Sequence, residues 1–429
     1  MKKKIRPLIV LLLCVTVASS CSKDNIDVQP NENINAQSTL VAKGTETSTI
    51  HAIQFSTEGL HSLVLTASGE VYGTGELSYG EMGFGFQKDF EITYKGGVTN
   101  NYYAHNFKKL TDPLAINIKK IAVGKNSSYL LSNDGSLYAA GDGGDGQLGS
   151  GTLKDNTAFT KVNFNGGTIK EIVGGNFNAF ILTTSGKVFA AGFNDYGQLG
   201  MGDDENHINF VAVRSLDGYQ IAEISCGGNH TLVRTTDGKL LASGSDQYGQ
   251  LGGKGKKFKF TEIKLPTGVA AADLTQVTAG RESSFILTRS GVLYAAGKNE
   301  EGQLGIGSNG DTNKKGFVKV TSVTRVKLIR SYLGHSVALT TSGQLYVTGD
   351  NESGQLGLGD NINRNTFQHV TLQGNTISGI TEGVESNSTI VITTQGDFFG
   401  TGRNRFGNLG LGHHNDINLF QKMPINVKQ

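Results

Sequence analysis

The residues able to do chemistry are few, and their spacing does not make them converge. One polar side chain recurs eight residues before a turn glycine: His61, Ser127, Asn178, His230, Ser283, His335 and Ser388. Imidazoles at a fixed phase invite a metal or acid–base role. Alternating His, Ser and Asn around a wide ring do not close on one ion as zinc ligands do, so each is expected to tie its own repeat's backbone by hydrogen bonds. Gly141 to Gly146 spell Gly-x-Gly-x-x-Gly, but no helix follows to cradle a phosphate. The acidic loops at Asp203-Asp204-Glu205 and Asp360-Asn361 read as polar turns rather than calcium loops. Lys254 to Lys259 reads as a solvated basic loop, and His413-His414 as an exposed pair. Neither Gly-x-Ser-x-Gly nor His-Glu-x-x-His occurs, and no two carboxylates stand at a recognisable active-site spacing. Cys226 follows Ile224-Ser225 on an apolar stretch and is expected to be a buried small hydrophobe. No enzyme activity, cofactor or metal site is expected from this inventory.

Cys21 carries chemistry of another kind. It follows a basic start (Met1 to Arg6), an apolar run from Leu8 to Val17, and the small residues Ala18, Ser19 and Ser20. The run is too short for the ~20 residues that span a bilayer. The arrangement resembles a bacterial lipoprotein signal, cut so that Cys21 takes the lipid. Residues 1–20 are then the signal peptide and 21–46, rich in Asn, Gln, Ser and Thr, a flexible tether. Ser22 to Asn25 is similar to the short acidic tag of lipoproteins sent to the outer face of the outer membrane. The expected location is the bacterial outer membrane, facing the exterior. The net charge of +2 gives no signal for nucleic acid.

Everything from 47 to 429 is organised by one recurring loop. Gly-Gln-Leu-Gly begins at Gly146, Gly197, Gly249, Gly302 and Gly354, with altered copies at Gly80 (Gly-Glu-Met-Gly) and Gly407 (Gly-Asn-Leu-Gly). The intervals are 66, 51, 52, 53, 52 and 53 residues. Each unit reads as four short strands, shown by the fifth copy: 274–279, 284–288, 292–297 and 317–320. A glycine closes the hairpin between the second and third strands in every copy, at 69, 135, 186, 238, 291, 343 and 396. Four strands per ~50 residues, repeated seven times, predict an all-β, seven-bladed β-propeller of four-stranded antiparallel blades. The absence of Trp argues against a WD-type propeller.

The frame Ala295-Ala296-Gly297-x-Asn299-x-x-Gly302-Gln303-Leu304-Gly305-x-Gly307 resembles the regulator of chromosome condensation repeat. The resemblance covers residues of about 50 to 427 and implies a seven-bladed propeller like that of the family's founder. That founder exchanges nucleotide on a nuclear GTPase and binds chromatin. An exported chain would meet neither, so the activity is not carried over. A secreted member that inhibits β-lactamases implies that such a disc can serve as a protein-binding module.

Two sets of residues are expected to bind. The first precedes each loop glycine: Tyr79, Asp145, Tyr196, Tyr248, Glu301, Ser353 and Phe406. They vary inside a constant frame and fall on one face by symmetry, so recognition and partial packing on the next loop are both open. The second is the insertion that lengthens the first interval, with Phe86, Phe90, Tyr94, Tyr102, Tyr103 and His105. Its aromatics suit a sugar or a protein anchor, or cover a blade edge. The expected partner is a protein at the cell envelope, bound by a monomer. A glycan bound by residues 86–106, and an enzyme with an axial-funnel site, are the alternatives. Phe420 to Met423 beside Thr39 to Val41 is the expected ring seam.

Overall fold

A computed structural model describes residues 50–58, 60–83, 91–92, 101–110, 116–253, 255–312, 316–372, 374–381, 383 and 385–426. Cys21, Phe86, Phe90, Tyr94, Thr39 to Val41 and the segments assigned to signal and tether lie outside them, as does the side chain of Tyr102. Ser48–Gln429 forms a compact unit.

Seven blades follow one another along this unit, each built from an inner, a second, a third and an outer strand, paired antiparallel. The inner strands are Ile50–Glu58, Ile118–Gly124, Ile169–Gly174, Ile221–Cys226, Leu274–Ala279, Val326–Ser331 and Ile377–Ile380. The fifth blade shows how closely the pattern was readable: Leu274–Ala279, Ser283–Thr288, Leu293–Gly297 and Val318–Lys319. Among the described residues the only helical elements are two 3₁₀ turns, Arg214–Leu216 and Ala271–Asp273. The chain is an all-β propeller.

Ring closure is made at two levels. The outer strand of blade 7, Ile417–Asn426, ends parallel to the start of the inner strand of blade 1, with Ile50 opposite Ile425 and His51 opposite Asn426. The seam therefore uses residues further along both segments than Phe420–Met423 and Thr39–Val41. The second level is the recurring loop, which docks each blade on the next. Gly302 (φ +81°) lies so close to the following outer strand that a Cβ would sit 2.5 Å from the Asn365 Cα. At Gly305 a Cβ would meet the Phe367 ring at 2.5 Å. The same aromatic contact occurs between Gly83 and Phe159, Gly149 and Phe210, Gly200 and Phe260, and Gly357 and Phe420. At the seam Gly410 of blade 7 takes Phe107 of blade 1.

The leucine of each loop fills the core between two blades. Leu148, Leu199, Leu304, Leu356 and Leu409 are wholly buried, as is Met82 in blade 1. Leu304, for example, packs with Phe285 and Leu293 of its own blade and with Ile329, Ala338 and Phe367 of the next. Apolar burial thus lies at the junctions, and each blade needs its neighbours to complete a core.

Side chains also join the inner strands. Gln54 donates to the Ile121 carbonyl at 2.7 Å and accepts from the Ile121 N–H at 2.9 Å. Gln276 does the same to Ile329 at 2.8 and 3.1 Å. Each glutamine satisfies backbone groups that no fifth strand covers.

The strand directions define two faces. Inner strands run from the hairpin face, where Ala52 pairs with Thr66, to the opposite face, where Glu58 pairs with His61. The recurring loops leave the third strands at that opposite end and lie on it with the inner-to-second-strand turns. We call it the loop face.

Candidate interaction face

The loop that carries the first candidate set is a closed hydrogen-bond circuit. Gln303 Oε1 accepts the N–H of Glu301 at 3.1 Å, and its counterparts accept from Asp145, Tyr196, Tyr248 and Ser353 at 2.9 to 3.1 Å. The wholly buried Asn299 accepts the Leu304 N–H through Oδ1 at 2.9 Å and donates through Nδ2 to the Ser308 carbonyl. Asn194, Asn351 and Asn404 repeat the leucine contact at 2.9 to 3.1 Å. In blades 3, 5 and 6 the backbone before the loop glycine is therefore fixed from both sides, and only its side chain is free to vary. Such a frame presents a residue in one geometry at little entropic cost to a partner.

All seven variable residues stand on the loop face. Tyr79 is 40% and Tyr196 37% exposed; Asp145, Tyr248, Glu301, Ser353 and Phe406 are partly covered. Three of the aromatics carry a cation over the ring: Lys256 over Tyr196 at 5.6 Å, Lys298 over Tyr248 at 5.4 Å and Arg403 over Phe406 at 5.4 Å. The two acids reach the next blade, Asp145 accepting from Asn206 at 3.1 Å and Glu301 from Asn363 at 2.7 Å. Exposure and packing on the next loop coexist, and the face has an aromatic–cationic texture that the loop positions alone did not reveal.

The insertion set is divided by its strand. Tyr102, Tyr103 and His105 belong to Asn101–Lys109, the outer strand of blade 1, which pairs with the two-residue strand Glu91–Ile92. The Tyr103 ring is buried 5.1 Å from that of Phe406, and the rings of His105 and His414 meet at 3.7 Å. Tyr103, His105 and Phe107 thus face blade 7 across the seam. His414 belongs to this contact, where the sequence suggested exposure.

The histidines of the polar series bond differently from expectation. His61 Nε2 lies 2.8 Å from Ser128 Oγ, His230 Nε2 2.8 Å from Ser284 Oγ, and His335 Nε2 2.8 Å from Thr389 Oγ1. Each partner is on the next blade, so the histidines link blades rather than brace their own. The reason is geometric: the second strand packs against the following blade, so the imidazole reaches a hydroxyl there. Burial lowers the pKa of His61 to about 4 and of His230 and His335 to about 3, so all three are neutral at physiological pH.

Inner strands of all seven blades line a cavity of about 440 Å³, in which Ser, Thr and aliphatic side chains predominate beside Glu171, Glu223 and Arg330. Glu223 is engaged by Arg234 at 3.1 Å and by the Val277 N–H at 3.2 Å. Cys226 is buried in the same wall. Among the described residues no group of three or more His, Cys, Asp or Glu is placed to hold a metal.

Residues 19–329 match the RCC1-like domain, and residues 326–355 match the regulator of chromosome condensation (RCC1) repeat. The chain belongs to the RCC1-like family. It is 30% identical to the ultraviolet-B receptor UVR8 of Arabidopsis thaliana over 316 residues, 72% of this chain and 69% of that one. It is 27% identical to the human E3 ubiquitin-protein ligase HERC2 over 366 residues, 81% of this chain but 7% of that far longer protein. Among solved structures it is similar to Prp20p of Saccharomyces cerevisiae, with a TM-score of 0.70 at 17% identity, covering 84% of this chain and 87% of the other. Human WBSCR16 gives a TM-score of 0.67 at 20% identity, covering 78% and 85%. These structures share the fold.

Proposed function

We propose that this RCC1-like chain is an exported, lipid-anchored module of the bacterial outer membrane that binds a protein partner through its loop face. The observation that carries the reading is the recurring loop: a backbone held by glutamine, asparagine or both in most blades, and a variable side chain, exposed or partly exposed, on one face. Cys21 supplies the anchor and residues 21–46 the reach. Among structural relatives, Prp20p binds Gsp1p and histones, and yeast RCC1 has been solved bound to Kap60. Protein recognition on this fold is thus a property of relatives, and here the partner would be one met at the envelope.

The test is capture of envelope proteins and glycans by the full chain, beside a variant with Tyr196, Tyr248 and Phe406 changed to Ala. A protein retained by the first and lost by the second supports the reading. A ligand retained by both, and lost when residues 86–106 are deleted, replaces it with recognition by the insertion.

A further inference from the structure

The seven copies provide an internal baseline, and blade 7 departs from it in two ways that meet at one place. First, its loop reads Gly-Asn-Leu-Gly, and Asn408 is one methylene shorter than the glutamine of five other blades. Asn408 donates instead to the Ser388 hydroxyl at 3.2 Å and to the Arg403 carbonyl at 3.1 Å, and its Oδ1, though buried, has no hydrogen-bond partner. Second, the turn from inner to second strand is longer. Ile380 to Ser388 spans eight steps, where Ile329 to His335 and its counterparts span six. Beside them, the residue four before the loop glycine, a position that varies from blade to blade, is here Arg403, whose buried Nε–H also lacks a partner.

These departures enclose a cavity of about 190 Å³ on the loop face, lined by Leu60, Lys125, Leu333, Glu385, Asn387, Arg403 and Asn408. Its charge is set by a few groups. Lys125 lies over the Phe177 ring at 4.4 Å, and Arg281 stands 3.8 Å from the Glu385 carboxyl. Glu76, on blade 1, feels the charge of Arg403. Asn387 presents a buried, unpartnered Oδ1 and holds the Arg403 N–H through its carbonyl at 3.0 Å. The lining thus holds two cations, Lys125 and Arg403, and one acid, Glu385, with the unpartnered Nε–H of Arg403 beside the unpartnered amide oxygens of Asn387 and Asn408. Guanidinium with a second cation is the donor set that selects a carboxylate. The volume suits one acidic side chain and not a drug-sized ligand.

We propose that this cavity receives a single carboxylate side chain, Glu or Asp, presented by the protein partner of the loop face. The inference rests on the protein-binding reading and names the anchor that partner carries. Arg403 lies over the Phe406 ring at 5.4 Å, so an acidic anchor would meet a cation already held by an aromatic of the loop face.

The test uses the full chain and two capped peptides, acetyl-Gly-Glu-Gly-amide and acetyl-Gly-Gln-Gly-amide. Binding is followed by calorimetry and by the Nε–H resonance of isotope-labelled Arg403. The Glu peptide is expected to shift that resonance saturably and to bind at least about tenfold more tightly than the Gln peptide. Asn408→Gln restores the side chain that five other blades accommodate, so it should fold, fill the cavity and weaken binding by about tenfold or more. Arg403→Gln should weaken it similarly by calorimetry. A resonance unmoved by the Glu peptide, equal response to both peptides, or undiminished binding by both variants overturns the proposal. Those outcomes leave the loop-face reading standing if the Tyr196, Tyr248, Phe406 variant still loses its captured protein. Loss of the cavity alone and loss of the whole face are thereby separate results.

Discussion

Replacing Glu81 by Gln should stabilise the propeller, and by an amount that grows with pH. Glu81 occupies the position held by Gln147, Gln198, Gln250, Gln303 and Gln355. Its Oε2 accepts the Tyr79 N–H at 3.1 Å, as the glutamines do two residues back, while Oε1 is buried without a hydrogen-bond partner. An anion there is unfavourable. Burial first, with help from the charges of Glu76 and Asp142, raises the carboxyl pKa from 4.5 to about 8. At neutral pH the group is a carboxylic acid, close in shape to a glutamine. In the unfolded chain it ionises near its ordinary value. The stability it allows is thus fully present below about pH 4.5 and is lost as pH rises toward 8. Each pH unit in that window costs about 1.4 kcal/mol. Relative to Glu81→Gln, the natural chain should be lower by less than about 1 kcal/mol at pH 5, by about 3 at pH 7 and by about 5 at pH 9. Urea unfolding of both chains at the three pH values measures this. A difference that stays constant with pH would refute the assignment of Glu81 as a neutral glutamine substitute.

Other outcomes follow from the junctions. Leu304→Ala removes a wholly buried side chain between blades 5 and 6 and should cost about 2–5 kcal/mol in the same assay. Phe107→Ala opens the loop contact at the seam and, the ring being partly buried, should cost about 1–3 kcal/mol, less than the ~3–5 of a core Phe; limited proteolysis should then cut near residues 101–110 first. The three buried histidines work in the opposite direction from Glu81. Their folded pKa values lie below the ordinary 6.5, so stability is full above that pH and falls as pH drops toward 4. Three such groups give a slope of about 4 kcal/mol per pH unit. Changing all three to Asn, the residue blade 3 uses at Asn178, should make the acid transition shallower, as followed by circular dichroism.

Much of the fold was legible because its causes are local and recur. Strand, hairpin glycine and loop glycine answer to spacing within one unit of ~50 residues. What escaped were contacts that cross from one blade to the next. His230 was expected to brace its own blade, yet its partner, Ser284, lies more than a full repeat away. The docking of Phe367 on Gly305 was equally hidden, although an in-phase Phe in each outer strand was a signal available in the repeat itself. At the candidate face, the positions Tyr196, Tyr248 and Phe406 were found from variation inside a constant frame. The cations above them were not, because Lys256 belongs to a neighbouring blade and charge alone does not show direction. The cavity beside Asn408 was least accessible, since a shorter side chain matters only once the glutamine it replaces has a known task.

The parallel pairing of Ile50 with Ile425 places the entry and exit of the ring side by side, on the side where the hairpins lie. Joining those two points by a short linker, and opening the chain at any hairpin such as Asp237-Gly238, would keep every blade junction intact. Such circular permutants should fold with the same set of contacts. The natural choice of opening matters for a different reason. A short, stiff attachment at either of these two points would hold the hairpins toward a support and leave the loops toward the medium. Orientation is thus built into the connectivity, and a tether or an immobilisation tag at that seam leaves the variable side chains accessible without any further device.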